Sequence, residues 1–132
     1  MSFDNLNLHE ALIAAVRSAG YEQATEVQQQ AIPRAMEGRD LMVSARTGSG
    51  KTASFVLPAL TRVLAARENP EPKREKGHGN TPMGPRVLVL VPTRELAIQV
   101  SKAAMEYGRN VRGLRVATVV GGVPYGLQLR QL

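Results

Sequence analysis

Residues 44–52, SARTGSGKT, combine small, basic and hydroxyl side chains in a spacing that suits a bound triphosphate. Glycine lacks a Cβ, so at Gly48 and Gly50 the backbone amides can close around phosphate oxygens. Lys51 would place a positive charge near the β and γ phosphates, and the Thr52 hydroxyl could bind Mg²⁺. A helix beginning there would point its positive end at the anion. The stretch therefore predicts a nucleotide site with Lys51 and Thr52 as its catalytic phosphate and metal residues.

One position departs from the strict form of this phosphate-binding loop, which begins with Gly where this chain has Ala45. A strand before the loop and a helix after it would support the nucleotide site. The alternative is a surface turn of Gly and Ser that a Lys-Thr pair follows by chance.

Apolar residues at helical spacing predict four helices that would position this loop. The predicted ranges are residues 8–19, 25–37, 50–66 and 94–107. We expect Gly20 to end the first helix. Pro33 and Pro58 should kink or shorten the second and third, because proline removes a backbone donor.

Three short apolar segments predict strands, at residues 41–43, 87–91 and 114–120. A continuous apolar run such as residues 87–91 is typical of a parallel strand covered on both faces. Strands that alternate with helices predict right-handed crossovers and an α/β fold, with a parallel sheet flanked by helices.

The chain divides into a helical region, residues 1–37, and an α/β region, residues 38–132. Residues 67–85 contain one large apolar side chain, four Pro and three Gly. Such a segment buries too little apolar surface to offset the entropy lost on ordering. We therefore predict a mobile surface loop there, or alternatively an arm that contacts nucleic acid.

Composition excludes several classes of protein. The 132 residues suffice for one domain, and no apolar run approaches the roughly 18 residues that a membrane-spanning helix needs. There is no Cys, and neither of the two His is placed for a metal site. The first ten residues resemble no signal or transit peptide, so we expect a cytoplasmic protein.

The net charge of +6 is concentrated in residues 86–132, which carry seven basic and two acidic side chains. This asymmetry indicates a polyanionic partner such as nucleic acid, or else a surface kept soluble by basic residues.

Residues 45–52 are similar to the phosphate-binding motif of DEAD-box ATP-dependent RNA helicases, in which Ala opens the pattern. Residues 20–28 resemble that family's adenine-reading Q motif, residues 92–97 its first RNA-contacting motif, and Gly121-Gly122 its paired glycines. The resemblance spans nearly the whole chain. It implies the N-terminal part of a first RecA-like domain, truncated before its later strands, with ATP and Mg²⁺ as cofactors and RNA as partner.

The resemblance also implies which residues hold ATP. Around the adenine these are Phe3, Tyr21, Gln23, Thr25 and Gln28. Around the phosphates they are Ala45, Arg46, Thr47, Gly48, Ser49, Gly50, Lys51 and Thr52, with Mg²⁺ on Thr52. Tyr21 aligns with the family's stacking residue, and Gln23 with one that offers its backbone carbonyl. Ala24 stands where Pro is usual in the family.

The type of side chain supports a role for Gln28. Its amide carries a donor and an acceptor that match the N6 and N7 edge of adenine and mismatch guanine. Thr25 and Gln28 also fit a T-x-x-Q capping box, in which Gln28 would satisfy a backbone amide.

For RNA, the resemblance implies contacts from Pro92, Thr93, Arg94, Gly121 and Gly122. A hydroxyl, a guanidinium and free backbone amides at a helix start could converge on one phosphate without reading bases. Few aromatic side chains are placed to stack on bases, which favours backbone recognition. The alternatives are an ordinary helix start at Thr93 and a plain turn at the two glycines.

Hydrolysis in this class needs an acid that holds Mg²⁺, a residue that orients water and usually an arginine finger. After Lys51 the chain has five Glu and no Asp, and no Glu follows a predicted strand in an Asp-Glu-Ala-Asp context. We therefore expect a fragment of a longer helicase that does not hydrolyse ATP alone, and that is marginally stable or self-associates by borrowing strands.

Two other functions remain open. A non-catalytic basic RNA-binding module would keep its RNA affinity in Lys51→Ala. Another P-loop nucleic-acid-dependent ATPase, such as a DNA-directed motor, would share the phosphate loop.

Overall fold

The structure, a computed structural model, describes residues 2–46, 50–68, 85–122, 126, 128 and 129. Within them the chain forms a 3-10 helix at Phe3–Leu6 and four α-helices. These are α1 (Glu10–Ser18), α2 (Glu26–Met36), α3 (Lys51–Glu68) and α4 (Arg94–Tyr107). The four predicted helices are confirmed, and their ends lie within two residues of the predicted ones.

Threonine side chains fix where α2 and α4 begin. At α2 the capping box is complete: the Thr25 N–H donates to Gln28 Oε1 at 2.9 Å, and the Gln28 N–H donates to Thr25 Oγ1 at 3.4 Å. At α4 the Leu96 N–H donates to Thr93 Oγ1 at 3.2 Å. These bonds satisfy backbone amides at the helix starts that have no partner in the backbone ladder of the helix.

The segment before α1 is held by packing and by one ion pair. Phe3 and Leu6 are buried, and Arg17 of α1 donates to the Asp4 carboxylate at 2.6 Å. This bond holds the pKa of Asp4 below its usual value. His9 caps α1, because its Nδ1 accepts a first-turn N–H at 3.1 Å.

The helix α3 lies at the centre of the core and packs against α1, α2 and α4. The largest fully buried side chains are Leu12 and Val16 of α1, Ile32 of α2 and Leu57 of α3. Each such burial stabilises the fold by roughly 1.5–3 kcal/mol. The core therefore holds the first turn of α3 beside the first turn of α2.

The three segments predicted as strands do not pair into a sheet among the described residues. No strand is assigned in residues 41–46, 85–91 or 114–120, and the isolated β-bridge of the described part joins Ser2 to Gln23. The predicted parallel sheet is thus not confirmed. A strand exists through hydrogen bonds to a neighbour, whereas an apolar run reports only a tendency to be buried.

The predicted cover on both faces of residues 87–91 is wrong, and residues 41–43 are not buried either. Met42 is 99% exposed, Leu88 76% and Leu90 85%, while Val87 and Val89 are each 40% exposed. Successive side chains of an extended chain point to opposite sides, so one side is partly covered here and the other is open.

The predicted loop at residues 67–85 starts later than expected. Arg67 and Glu68 belong to the last turn of α3, and the Arg67 guanidinium donates to the carbonyl of Arg112 beyond α4. Residues 69–84 of this prediction lie outside the described residues.

Neither Pro33 nor Pro58 ends its helix. In the described ranges, no helix combines the length and the apolarity needed to cross a membrane. The division at residue 37 stays a prediction.

Candidate functional site

The phosphate-loop lysine is the first residue of α3. Lys51 is exposed, and its Nζ donates to the carbonyl of Ala45 at 2.6 Å. Thr52 follows in the same first turn and is half-buried. The helix dipole places partial positive charge at this end, where an anion is favoured. The predicted ATP residues Thr47, Gly48 and Ser49 lie outside the described residues.

Gly50 joins this loop to the first turn of α2. Its φ is +86°, and its carbonyl accepts from Gln28 Nε2 at 3.2 Å. A Cβ at Gly50 would lie 2.3 Å from that same Nε2, so no larger residue fits without a shift. The close neighbour here is the Gln28 side chain, and the positive φ is a backbone conformation that glycine adopts without steric cost.

Gln28 is buried and takes part in two contacts at once. Its Oε1 accepts the Thr25 N–H, and its Nε2 donates to the Gly50 carbonyl. The capping role is therefore confirmed. A primary amide still has a second lone pair and a second N–H, which are the groups that reading adenine would require. The adenine role stays a prediction.

The other predicted adenine residues are dispersed. Phe3 is buried in the core, and Gln23 is exposed in the bridge to Ser2. Tyr21 is 50% exposed. The centroid of its ring lies 6.3 Å from that of the Tyr107 ring, and the two ring planes are tilted by 52°. Burial raises the pKa of Tyr107 to about 12, and the neighbouring Tyr21 adds to the effect.

A cavity of about 650 Å³ lies between α2 and the segment that leads into the phosphate loop. Its lining includes three predicted ATP residues, Thr25, Ala45 and Arg46. This volume is in the range of small-molecule sites. Gln28, Gly50 and Lys51 are not among the residues that line this cavity. The bond from Gln28 to Gly50 is what brings Thr25 and Gln28 beside Gly50 and Lys51, which their separation in the sequence does not require.

The two predicted RNA stretches meet in space. The exposed guanidinium of Arg94 donates from Nη2 to the carbonyl of Gly121. Gly122 has a φ of +83°, and a Cβ there would lie 2.8 Å from Arg94 Nη2. A cavity of about 230 Å³ is lined by Pro92, Thr93, Arg94 and Gly121 together with Val91, Ala97, Val119 and Val120.

Two contacts beside this cavity were missed by sequence reasoning. The Val120 N–H donates to Gln128 Oε1 at 2.7 Å, and the hydroxyls of Ser101 and Thr118 share a hydrogen bond. No motif signals them, because each joins positions that are distant in the chain. In the described part of the chain, no three His, Cys, Asp or Glu side chains cluster as metal ligands.

Comparison with known proteins places the chain in a family. The sequence model of the DEAD/DEAH box helicases matches residues 25–132. The chain is 44% identical over 131 residues to DEAD-box ATP-dependent RNA helicase 52A of Oryza sativa subsp. japonica, covering 98% of this chain and 22% of that protein. It is 43% identical over 124 residues to ATP-dependent RNA helicase SrmB of Escherichia coli (strain K12), covering 94% and 25%.

Solved structures of related proteins are similar to this chain in fold. The RNA-helicase Prp28 from Chaetomium thermophilum bound to ADP superposes with a TM-score of 0.77 at 34% identity, covering 97% of this chain and 28% of that one. A DEAD box protein from Methanococcus jannaschii gives 0.77 at 32% identity, covering 100% and 32%.

The chain therefore belongs to the DEAD/DEAH box helicase family, and it spans between a fifth and a quarter of the length of these two curated relatives.

Proposed function

We propose that the chain forms the ATP-binding and RNA-contacting part of an ATP-dependent RNA helicase with a RecA-like sheet. The observation that carries this proposal is the hydrogen bond between Gln28 and Gly50. It joins the stretch that resembles the Q motif to the phosphate loop, so a single nucleotide could contact both. The curated relatives named above are themselves ATP-dependent RNA helicases.

ATP would be held between the first turns of α2 and α3. The Lys51 ammonium, which now bonds the Ala45 carbonyl, would turn to the β and γ phosphates. Thr52 would offer its hydroxyl to Mg²⁺, which would neutralise phosphate charge. Gln28 would meet the adenine edge, and Tyr21 would stack on the ring with its exposed side.

RNA would be held by its backbone. Arg94 keeps N–H groups beyond the one that bonds Gly121, and α4 begins beside it with Thr93 as its cap. Contacts of this kind fix the position of a strand without reading its sequence. Strand separation and hydrolysis would belong to the whole protein, because no acid after Lys51 stands in a metal-binding context.

The first test is titration of a fluorescent ATP analogue with Mg²⁺ into the full chain. We expect saturable binding that GTP displaces poorly. Lys51→Ala should weaken it at least about tenfold, because a charge-assisted contact contributes roughly 1.5–3 kcal/mol. Gln28→Ala should also weaken it and narrow the preference for ATP over GTP.

Lys102→Ala is the matched control for Lys51→Ala, since it removes the same charge from the exposed face of α4. Equal effects of the two lysine variants would contradict a specific phosphate contact. Equal displacement by GTP and ATP would contradict the adenine role of Gln28.

RNA binding is tested with a labelled single strand in Arg94→Ala, with Arg109→Ala as the control at another exposed arginine. We expect Arg94→Ala alone to weaken binding and to lower the salt slope by about 0.7. RNA affinity that does not respond to ATP or to Lys51→Ala would favour a basic RNA-binding module. The cytoplasmic location and the self-association stay predictions.

A further inference from the structure

The backbone from Thr118 to Gly121 is held at three points in succession. The Ser101 hydroxyl of α4 bonds the Thr118 hydroxyl, Gln128 Oε1 accepts the Val120 N–H at 2.7 Å, and Arg94 Nη2 donates to the Gly121 carbonyl. Two of these anchors come from α4. The third, Gln128, reaches back from beyond the paired glycines.

The paired glycines need such anchors more than other residues would. Both are exposed, and Gly122 has a φ of +83°. Glycine loses more conformational freedom on ordering than any other residue, so an untethered pair would incur that entropy cost when RNA binds. Bonds that fix the turn beforehand remove this cost from binding.

Gln128 is suited to fixing this turn because it is buried. Gln128 is 8% exposed, and the bond that its Oε1 accepts from the half-buried Val120 N–H is only partly open to water. Losing the acceptor would leave that donor without a protein partner. Val120 and Gly121 line the 230 Å³ cavity beside Arg94, whereas Gln128 does not.

We propose that Gln128 is a positioning residue for RNA binding: through the Val120 amide it fixes the turn whose glycines contact the RNA backbone. The inference rests on the proposed RNA-binding function and deepens it. Gln128 touches no RNA itself, so it contributes affinity without contributing charge.

The test is Gln128→Met in the full chain, which keeps side-chain length and removes the carboxamide, including the oxygen that accepts the Val120 N–H. We expect affinity for a labelled single-stranded RNA to fall about threefold to tenfold, as for one lost hydrogen bond. The salt slope should not change, because no cation is lost. Affinity for the fluorescent ATP analogue should also stay the same.

Hydrogen–deuterium exchange without RNA provides the second readout. Amides of residues 118–122 should exchange faster in Gln128→Met and return to the original rate in Gln128→Glu, whose carboxylate still accepts the Val120 N–H. Should Gln128→Met not fold, Gln128→Asn, which is one methylene shorter, carries the same prediction.

Unchanged RNA affinity in Gln128→Met would overturn the positioning role, and so would an equal loss of ATP affinity, which would indicate a general structural role. Arg94→Ala separates the two proposals. If Arg94→Ala weakens RNA binding and Gln128→Met does not, only the positioning role fails. If neither weakens it, the RNA-binding function fails as well.

Discussion

At the scale of single residues, Gly50 meets two demands that a side chain would violate. Its φ is +86°, and a Cβ would lie 2.3 Å from Gln28 Nε2 and 3.2 Å from Thr25 Oγ1. We predict that Gly50→Ala lowers the free energy of unfolding by about 1–3 kcal/mol, since strained backbone costs that much. Gly50→Ala should also weaken binding of the fluorescent ATP analogue, because the added Cβ displaces the Gln28 side chain. Urea denaturation and titration measure the two effects.

Gly113→Ala is the control for backbone strain alone. Gly113 has a φ of +69°, but no atom lies within 4 Å of a Cβ there. We expect about 1–2 kcal/mol of destabilisation and no change in nucleotide affinity. The same loss of nucleotide binding in both variants would argue against a specific contact between Gly50 and Gln28.

At the scale of secondary-structure elements, α2 depends on its capping box. Thr25 and Gln28 satisfy each other's backbone amides. We predict that Thr25→Ala lowers the free energy of unfolding by about 1 kcal/mol, the usual loss for an N-cap threonine. Thermal denaturation followed by circular dichroism measures it.

Thr25→Ser keeps the hydroxyl and should restore nearly all of that stability. If Thr25→Ser were as unstable as Thr25→Ala, the methyl group rather than the cap would be responsible.

At the scale of the whole molecule, Tyr107 links α4 to the segment after α1 through Tyr21. Burial raises the pKa of Tyr107 to about 12, against about 10 in an unfolded chain. The folded state therefore retains this proton more tightly, so its contribution to stability is complete below pH 10 and is lost as the pH rises through 12. We predict that the free energy of unfolding falls with pH in that window, as measured by urea denaturation.

Tyr107→Phe has no proton to lose there, and its stability should fall less steeply between pH 10 and 12. Absorbance of tyrosinate gives the companion measurement, in which a titration step near pH 12 should be present in the original chain and lost in Tyr107→Phe. A slope that is identical in Tyr107→Phe would contradict the assignment to this residue.

Local features of the fold could be predicted because they depend on neighbours in the chain. The capping box follows from a spacing of three residues, and the four helices follow from apolar periodicity over one or two turns. The segments at residues 41–43 and 87–91 could not be settled this way. Pairing requires a second segment, and the described residues leave Met42, Leu88 and Leu90 exposed.

The sequence by itself determined which residue types could hold phosphate and RNA backbone, and where the helices that present them begin. Only the tertiary structure decided which of these residues meet. Gln28 reaches Gly50 across 22 positions, and Arg94 reaches Gly121 across 27. The tertiary structure also placed Phe3 in the core, and it bonded Gln128 to Val120, the residue before the paired glycines. The physical reason is that burial of the apolar faces of the helices sets these distances, and one stretch of sequence does not specify how distant helices pack.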